Sequence, residues 1–114
     1  MLTIDSLKEW GANTEEGLGR CLNNEALYLR LVGIAMADPH FDALDQALTE
    51  GKTKEAFEAA HALKGVFANL ALAKLTEPIS ELTESLRGKT EAVDTQALQK
   101  EIREELAKLR ALKD

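Results

Sequence analysis

Apolar residues recur at helical spacing along most of the chain, and short polar or glycine breaks at Gly11, Asn23-Asn24, Asp38-Pro39, Gly51 and Gly88 divide them into segments. Thr3 or Asp5 starts a short helix that runs through Trp10 and is stopped by Gly11, with Leu2, Leu7 and Trp10 as a lid on the end of a bundle. Asn13-Thr14-Glu15-Glu16 has the form of an N-cap with a glutamate at N3. The helix it opens carries Leu18, Cys21 and Leu22 as one stripe. Asn23-Asn24 breaks this segment and caps the next, from Glu25 to about Ala37. There Leu27, Leu31, Ile34 and Ala35 share one face, broadened by Leu29, Val32 and Met36, which is the width of a central helix with several neighbours.

Asp38-Pro39 reads as an N-cap with proline at N1, opening a helix from His40 to Glu50 with Phe41, Leu44 and Leu48 inward. Gly51 ends it, and Thr53 caps a helix that reaches about Leu70 or Leu72. From Ala73 to Arg87 the inward positions are Leu75, Ile79, Leu82 and Leu86. Pro78 removes a hydrogen bond from a helix interior, so the helix is expected to bend there or to begin at Thr76-Glu77-Pro78. Gly88 closes it. After a loop from Thr90 to Val93, Asp94 or Thr95 caps a final helix to about Leu112, with Leu98, Ile102, Leu106, Leu109 and Leu112 at near-heptad spacing. That face completes the chain's own bundle in preference to a dimeric coiled coil. The layout is all-α: an antiparallel up-down four-helix bundle with one or two short N-terminal helices, in one domain spanning 1–114.

The proline-free run from Thr53 to Thr76 is the most informative. With His61 set at zero and about 100° per residue, Ala56, Ala59, Ala60, Leu63, Val66, Phe67 and Leu70 fall on one continuous apolar face. Lys54, Phe57, His61, Lys64, Gly65 and Ala68 fall within about 60° of zero on the opposite side. The histidine therefore points away from the core. Lys64 at i+3 places a cation near anything the imidazole carries. Gly65 at i+4 costs the helix about 1 kcal/mol relative to alanine and clears backbone beside the ring. A nucleophilic ring, a neighbouring cation and a bare patch for close approach together suit phosphoryl transfer through the ring.

His61-Ala62-Leu63-Lys64-Gly65, followed by Ala68-Asn69-Leu70, resembles the signature of histidine phosphotransfer (HPt) domains, and the likeness in length and helix order covers nearly the whole chain. The resemblance implies that His61 is the phosphorylated residue, through Nε2, that Lys64 is the phosphate partner and that Gly65 keeps the site open. It implies a relay between receiver-domain aspartates in a two-component phosphorelay, with response-regulator receivers and a hybrid sensor histidine kinase as partners. Family members often carry glycine where this chain has Ala71, and small residues where it has Val66 and Phe67. Phe57 is a candidate docking contact for a receiver helix or a residue tucked at the core edge. Lys54 and Ala68 extend the candidate partner face.

Composition narrows the alternatives. Apolar residues are 45% of the chain but include one Trp, one Tyr and three Phe, so the core is mostly Leu and Ala. A formal charge of −6 argues against nucleic acid, and no polybasic stretch, membrane-length apolar run or secretory signal is evident. The single Cys21 reads as a small buried hydrophobe, and His40 as a surface residue without the flanking motif. The expectation is a cytoplasmic monomer with no cofactor and no metal site, Mg²⁺ belonging to the partner's acidic pocket. There is no Gly-rich phosphate loop or kinase-type ATP motif, so the chain is expected to be a phosphocarrier and not a kinase or other enzyme. The other readings are a helical adaptor with an incidental histidine and a histidine phosphatase. The second needs further arginines or a second acid/base group beside the nucleophile, and no arginine lies within a turn of His61.

Overall fold

Side-chain caps set most of the helix starts. In the computed structural model, which describes residues 1–114, seven helices and no strands follow in order: α1 (Ile4–Trp10), α2 (Thr14–Arg20), α3 (Glu25–Ala35), α4 (His40–Thr49), α5 (Thr53–Asn69), α6 (Ala73–Leu86) and α7 (Gln96–Ala111). Thr3 and Ser6 close a reciprocal pair at α1, each hydroxyl accepting the other's backbone N–H at 3.0 Å. The side-chain oxygens of Asn13, Asn24 and Asp38 accept from the N–H groups of Glu16, Leu27 and His40 at 3.2, 3.0 and 2.8 Å. Each such cap contributes about 1 kcal/mol. Asp94 does the same for Gln96 at 3.2 Å, while the Thr95 hydroxyl donates to Gln99 instead. Thr53 is the first residue of α5 and not its cap, and its buried hydroxyl donates to the Glu91 carbonyl at 3.2 Å, tying down the loop before α7.

The end of α5 explains one departure from the family pattern. Ala71 has φ of 58°, and the Leu72 N–H reaches back to the Phe67 carbonyl at 3.0 Å, a left-handed helix stop. Glycine adopts this conformation without the steric cost that a Cβ incurs. The Ala71 carbonyl also accepts the Asn13 N–H at 2.9 Å, which joins the start of α2 to this turn.

α5 packs between α4 and α6, α7 packs on α6, and α4 and α7 line one groove bridged by Arg103 and Asp45 at 2.7 Å. A single cluster of 24 buried residues draws on every helix except α2, which packs Leu18 against it, and on the turns between them. Ala56, Ala59 and Ala60 are all buried, and their small side chains let the neighbours of α5 come close. Phe41 of α4 meets Phe67 edge-on, with centroids 5.5 Å apart at 76°. Of the seven residues assigned to the core face of α5, six are buried and Val66 is half-buried. α7 buries Ile102, Leu106 and Leu109 against its own chain, with Leu98 and Leu112 at the margin. α1 is a lid: Leu7 is fully buried, Leu2 and Trp10 pack on the core, and the Trp10 indole N–H donates to Glu105 at 2.9 Å.

Two expectations are corrected, and the alternatives at Pro78 are narrowed to one. α2 ends at Arg20, and Leu22 and Asn23 turn the chain outward with φ of 56° and 58°, so Leu22 is 89% exposed instead of lying on a stripe with Cys21. In α3 the buried face is Tyr28, Val32 and Ala35, continuing to Met36, whereas Leu27 and Ile34 are 38% and 59% exposed. The helix is thus rotated by about one residue, or 100°, from the leucine face. Tyr28 draws it round, because its hydroxyl donates to the Leu70 carbonyl at 2.8 Å and its ring lies so close to Gly17 that a Cβ there would fall 2.5 Å from it. α6 begins at Ala73, which leaves Pro78 buried inside the helix and not in its first turn.

Candidate functional site

The histidine-bearing helix presents its polar side where the projection placed it. His61 is exposed near the middle of α5, with its backbone held by a regular helix and buried Ala60 and Leu63 on either side in sequence. Its ring is stacked on Phe57, one turn earlier, with centroids 5.8 Å apart and planes 14° from parallel. Phe57 is half-buried and packs on the core edge, so it supports the imidazole from below while keeping one side accessible. Lys64 is half-buried, and its ammonium lies 3.8 Å from a carboxylate oxygen of Glu84 on α6. Around Gly65 there is open space: a Cβ placed there would meet nothing within 4 Å.

Lys54 and Ala68 lie at the ends of this face and are both exposed. The stripe from Lys54 to Ala68 spans roughly 21 Å of helix axis. Ala68 has a neighbour that sequence reasoning missed, for Arg20 of α2 donates to the carbonyls of Ala68 and, at 3.1 Å, Asn69. It thereby satisfies the Asn69 carbonyl, which the helix end leaves unpaired, and adds a second donor to the Ala68 carbonyl, which already accepts the Ala71 N–H at 3.0 Å. Arg20 is also paired with Glu16.

Two further residues come from the end of α6 and the position just beyond it, where the chain has folded back along α5. Arg87 donates from Nε and Nη2 to the two carboxylate oxygens of Glu84 at 2.8 and 3.1 Å. Its guanidinium carbon stands 5.0 Å from the centre of the Phe57 ring. Hydrogen bonding from Arg87 holds the Glu84 carboxyl below the ordinary glutamate range, against the opposing effect of desolvation and with help from the charges of Arg87, Lys64 and His61. The same pairing raises Arg87. Glu84 and Arg87 are 23 and 26 positions beyond His61, so no local spacing marks them; the only clue is that the turn after Leu70 brings α6 back beside α5.

His40, the other histidine, is exposed at the start of α4 with Nδ1 2.7 Å from Asp38, and it has no cation or open glycine beside it. No group of three or more His, Cys, Asp and Glu side chains converges as a metal site, and no helix is long and apolar enough to cross a membrane.

An outward imidazole, a lysine one turn on and an unobstructed glycine thus share one accessible face of α5. Residues 31–112 match the family model described as the Hpt domain. The chain belongs to the Hpt family. No curated protein and no solved structure matches it. Hpt domains are histidine phosphotransfer modules of two-component signalling that act as phosphocarriers, not kinases, and interact with receiver and kinase domains. The matched Hpt region contains all six candidate residues as well as Glu84 and Arg87, and leaves α1, α2 and the start of α3 outside it.

Proposed function

We propose that this chain relays a phosphoryl group between receiver-domain aspartates through His61. The observation that carries the reading is the exposed His61 ring beside Lys64 and the open surface at Gly65. The lone pair of Nε2, the atom the family uses, attacks phosphorus of an aspartyl phosphate. The bond from phosphorus to the carboxyl oxygen breaks, its electron pair leaves with the aspartate carboxylate, and Nδ1 keeps its proton. The reverse steps deliver the group to a second aspartate. Lys64 offsets charge on the phosphoryl oxygens. Histidine suits this task because its neutral, nucleophilic form is well populated near pH 7.

In this reading α4 to α7 form an antiparallel up-down four-helix bundle, α1 to α3 complete it, and residues 1–114 act as one domain. Lys54, Phe57 and Ala68 border the surface on which a receiver docks. The chain works as a cytoplasmic monomer, without a cofactor of its own. The test is incubation with a phosphorylated receiver or phosphoramidate, followed by mapping of the label. An acid-labile, base-stable phosphate on His61 that chases onto a receiver is expected. A protein that binds receivers yet never acquires the label would be an adaptor, and the relay reading would fall.

A further inference from the structure

Lys64 and Arg87 share one anion. Glu84 accepts both nitrogen contacts of Arg87, at 2.8 and 3.1 Å, and the Lys64 ammonium lies 3.8 Å from the same carboxylate. Arg87 is fixed in addition over Phe57, whose other relationship is the stack with His61. Arg87 and Phe57 therefore connect Glu84 to the ring on which a phosphoryl group would be carried.

We propose that Glu84 is a resident counter-anion of the phosphoryl site, holding Lys64 and Arg87 beside a bare His61 and competing with the phosphoryl group for both cations once His61 is loaded. The inference rests on the relay reading and deepens it. Glu84 is a positioning residue, because it acts through Lys64 and Arg87 and takes no part in bond making. A phosphoryl group offers three acceptor oxygens and more charge than a carboxylate, so it is able to draw cations away from an exposed ion pair, which is held only weakly. Arg87 supplies a planar fork that suits carboxylate and phosphate alike. The carboxylate left behind, which interacts with the charge of His61, disfavours the loaded state. The loaded state is thus kept from becoming a sink, which a carrier working in both directions requires.

The experiment compares the full chain with its Glu84→Gln variant. In a titration with inorganic phosphate, followed by NMR of the Arg87 Nε–H and Lys64 side-chain signals, the half-saturating concentration is expected to fall about three- to tenfold in the variant. The equilibrium with a phosphorylated receiver should move toward phosphohistidine by a similar factor. In a Lys64→Ala/Arg87→Ala background the effect of Glu84→Gln should shrink to less than about twofold, since coupled residues are non-additive. Three results would overturn the proposal: no phosphate binding to either protein, no change on Glu84→Gln, or an equal change in the double-alanine background. Thermal melts accompany each variant, so that loss of fold is not read as loss of competition. If the wild-type chain takes no phosphoryl group at all, the relay reading falls, and the phosphate titration still decides whether Glu84 competes for the two cations.

Discussion

Phe57 and His61 lie in parallel stack one helical turn apart, 5.8 Å between centroids, and Phe57 is at once the floor of the imidazole and part of the core edge. Phe57→Ala should therefore act on both levels. Removing a half-buried ring is expected to cost about 1–2 kcal/mol, less than the ~3–5 kcal/mol of a fully buried phenylalanine. With the ring gone, the imidazole loses its fixed orientation and transfer should slow several-fold. Phe57→Leu restores the packing but not the planar stack. Stability recovered with transfer still slow separates the two roles; full recovery of both would show that only bulk matters.

His61→Gln should remove phosphorylation and leave the unfolding free energy within about 1 kcal/mol of wild type, because exposed substitutions seldom exceed about ±0.5 kcal/mol. His40→Gln should transfer normally. Label persisting in the first variant or lost in the second, as read by mass spectrometry under alkaline conditions, would move the relay histidine elsewhere.

At Gly65 stability and function are expected to diverge. Open space around the position lets a larger residue enter without a clash, and replacing glycine in a helix gains up to about 1 kcal/mol. Gly65→Leu should melt at or above the wild-type temperature while receiver-to-His61 transfer collapses, since the new side chain stands where an acceptor must approach. Unchanged transfer kinetics would reduce Gly65 to a tolerated surface glycine.

The Tyr28 anchor gives a prediction remote from the chemistry. Tyr28→Phe strands the Leu70 carbonyl and is expected to cost about 1–3 kcal/mol. Gly17→Ala drives a methyl into the ring and should cost about as much. Burial, aided by the charge of Cys21, pushes the Tyr28 hydroxyl from its ordinary 10.0 up to about 12. For an acid raised on folding, stability is intact below pH 10 and is lost as the pH climbs toward 12. Denaturant melts across that window should show a loss in wild type that is smaller in Tyr28→Phe; equal slopes would mean that other groups govern the alkaline limit.

The order of the helices and the outward histidine were legible because each rests on local rules: caps at Asn13, Asn24 and Asp38, and a strict apolar face in α5. What local rules missed was decided by distant partners. Leu27 and Ile34 lost the buried face of α3 to Tyr28 because Tyr28 finds the Leu70 carbonyl, 42 positions away. Pro78 is accommodated inside α6, where burial against the core outweighs one missing hydrogen bond. Within the candidate site, His61, Lys64 and Gly65 share a helix and could be read together. Glu84 and Arg87 reach it from the end of α6 and just beyond it, and Arg20 reaches Ala68 from α2, so each needed the tertiary fold to be found.

α5 is divided lengthwise, with alanines, Leu63 and Phe67 locked inward and His61, Gly65 and Ala68 facing out with few atoms over them. Mutations on the outer strip therefore meet almost no folding penalty, while those on the inner strip meet most of it. On the proposed relay reading, a gene duplicate of this chain could acquire new receiver partners through successive surface changes, each fold-neutral, with the His61 ring carried along unchanged. Such a division would insulate partner choice from foldability, and discrimination between sister receivers would become a matter of a few side chains on one helix.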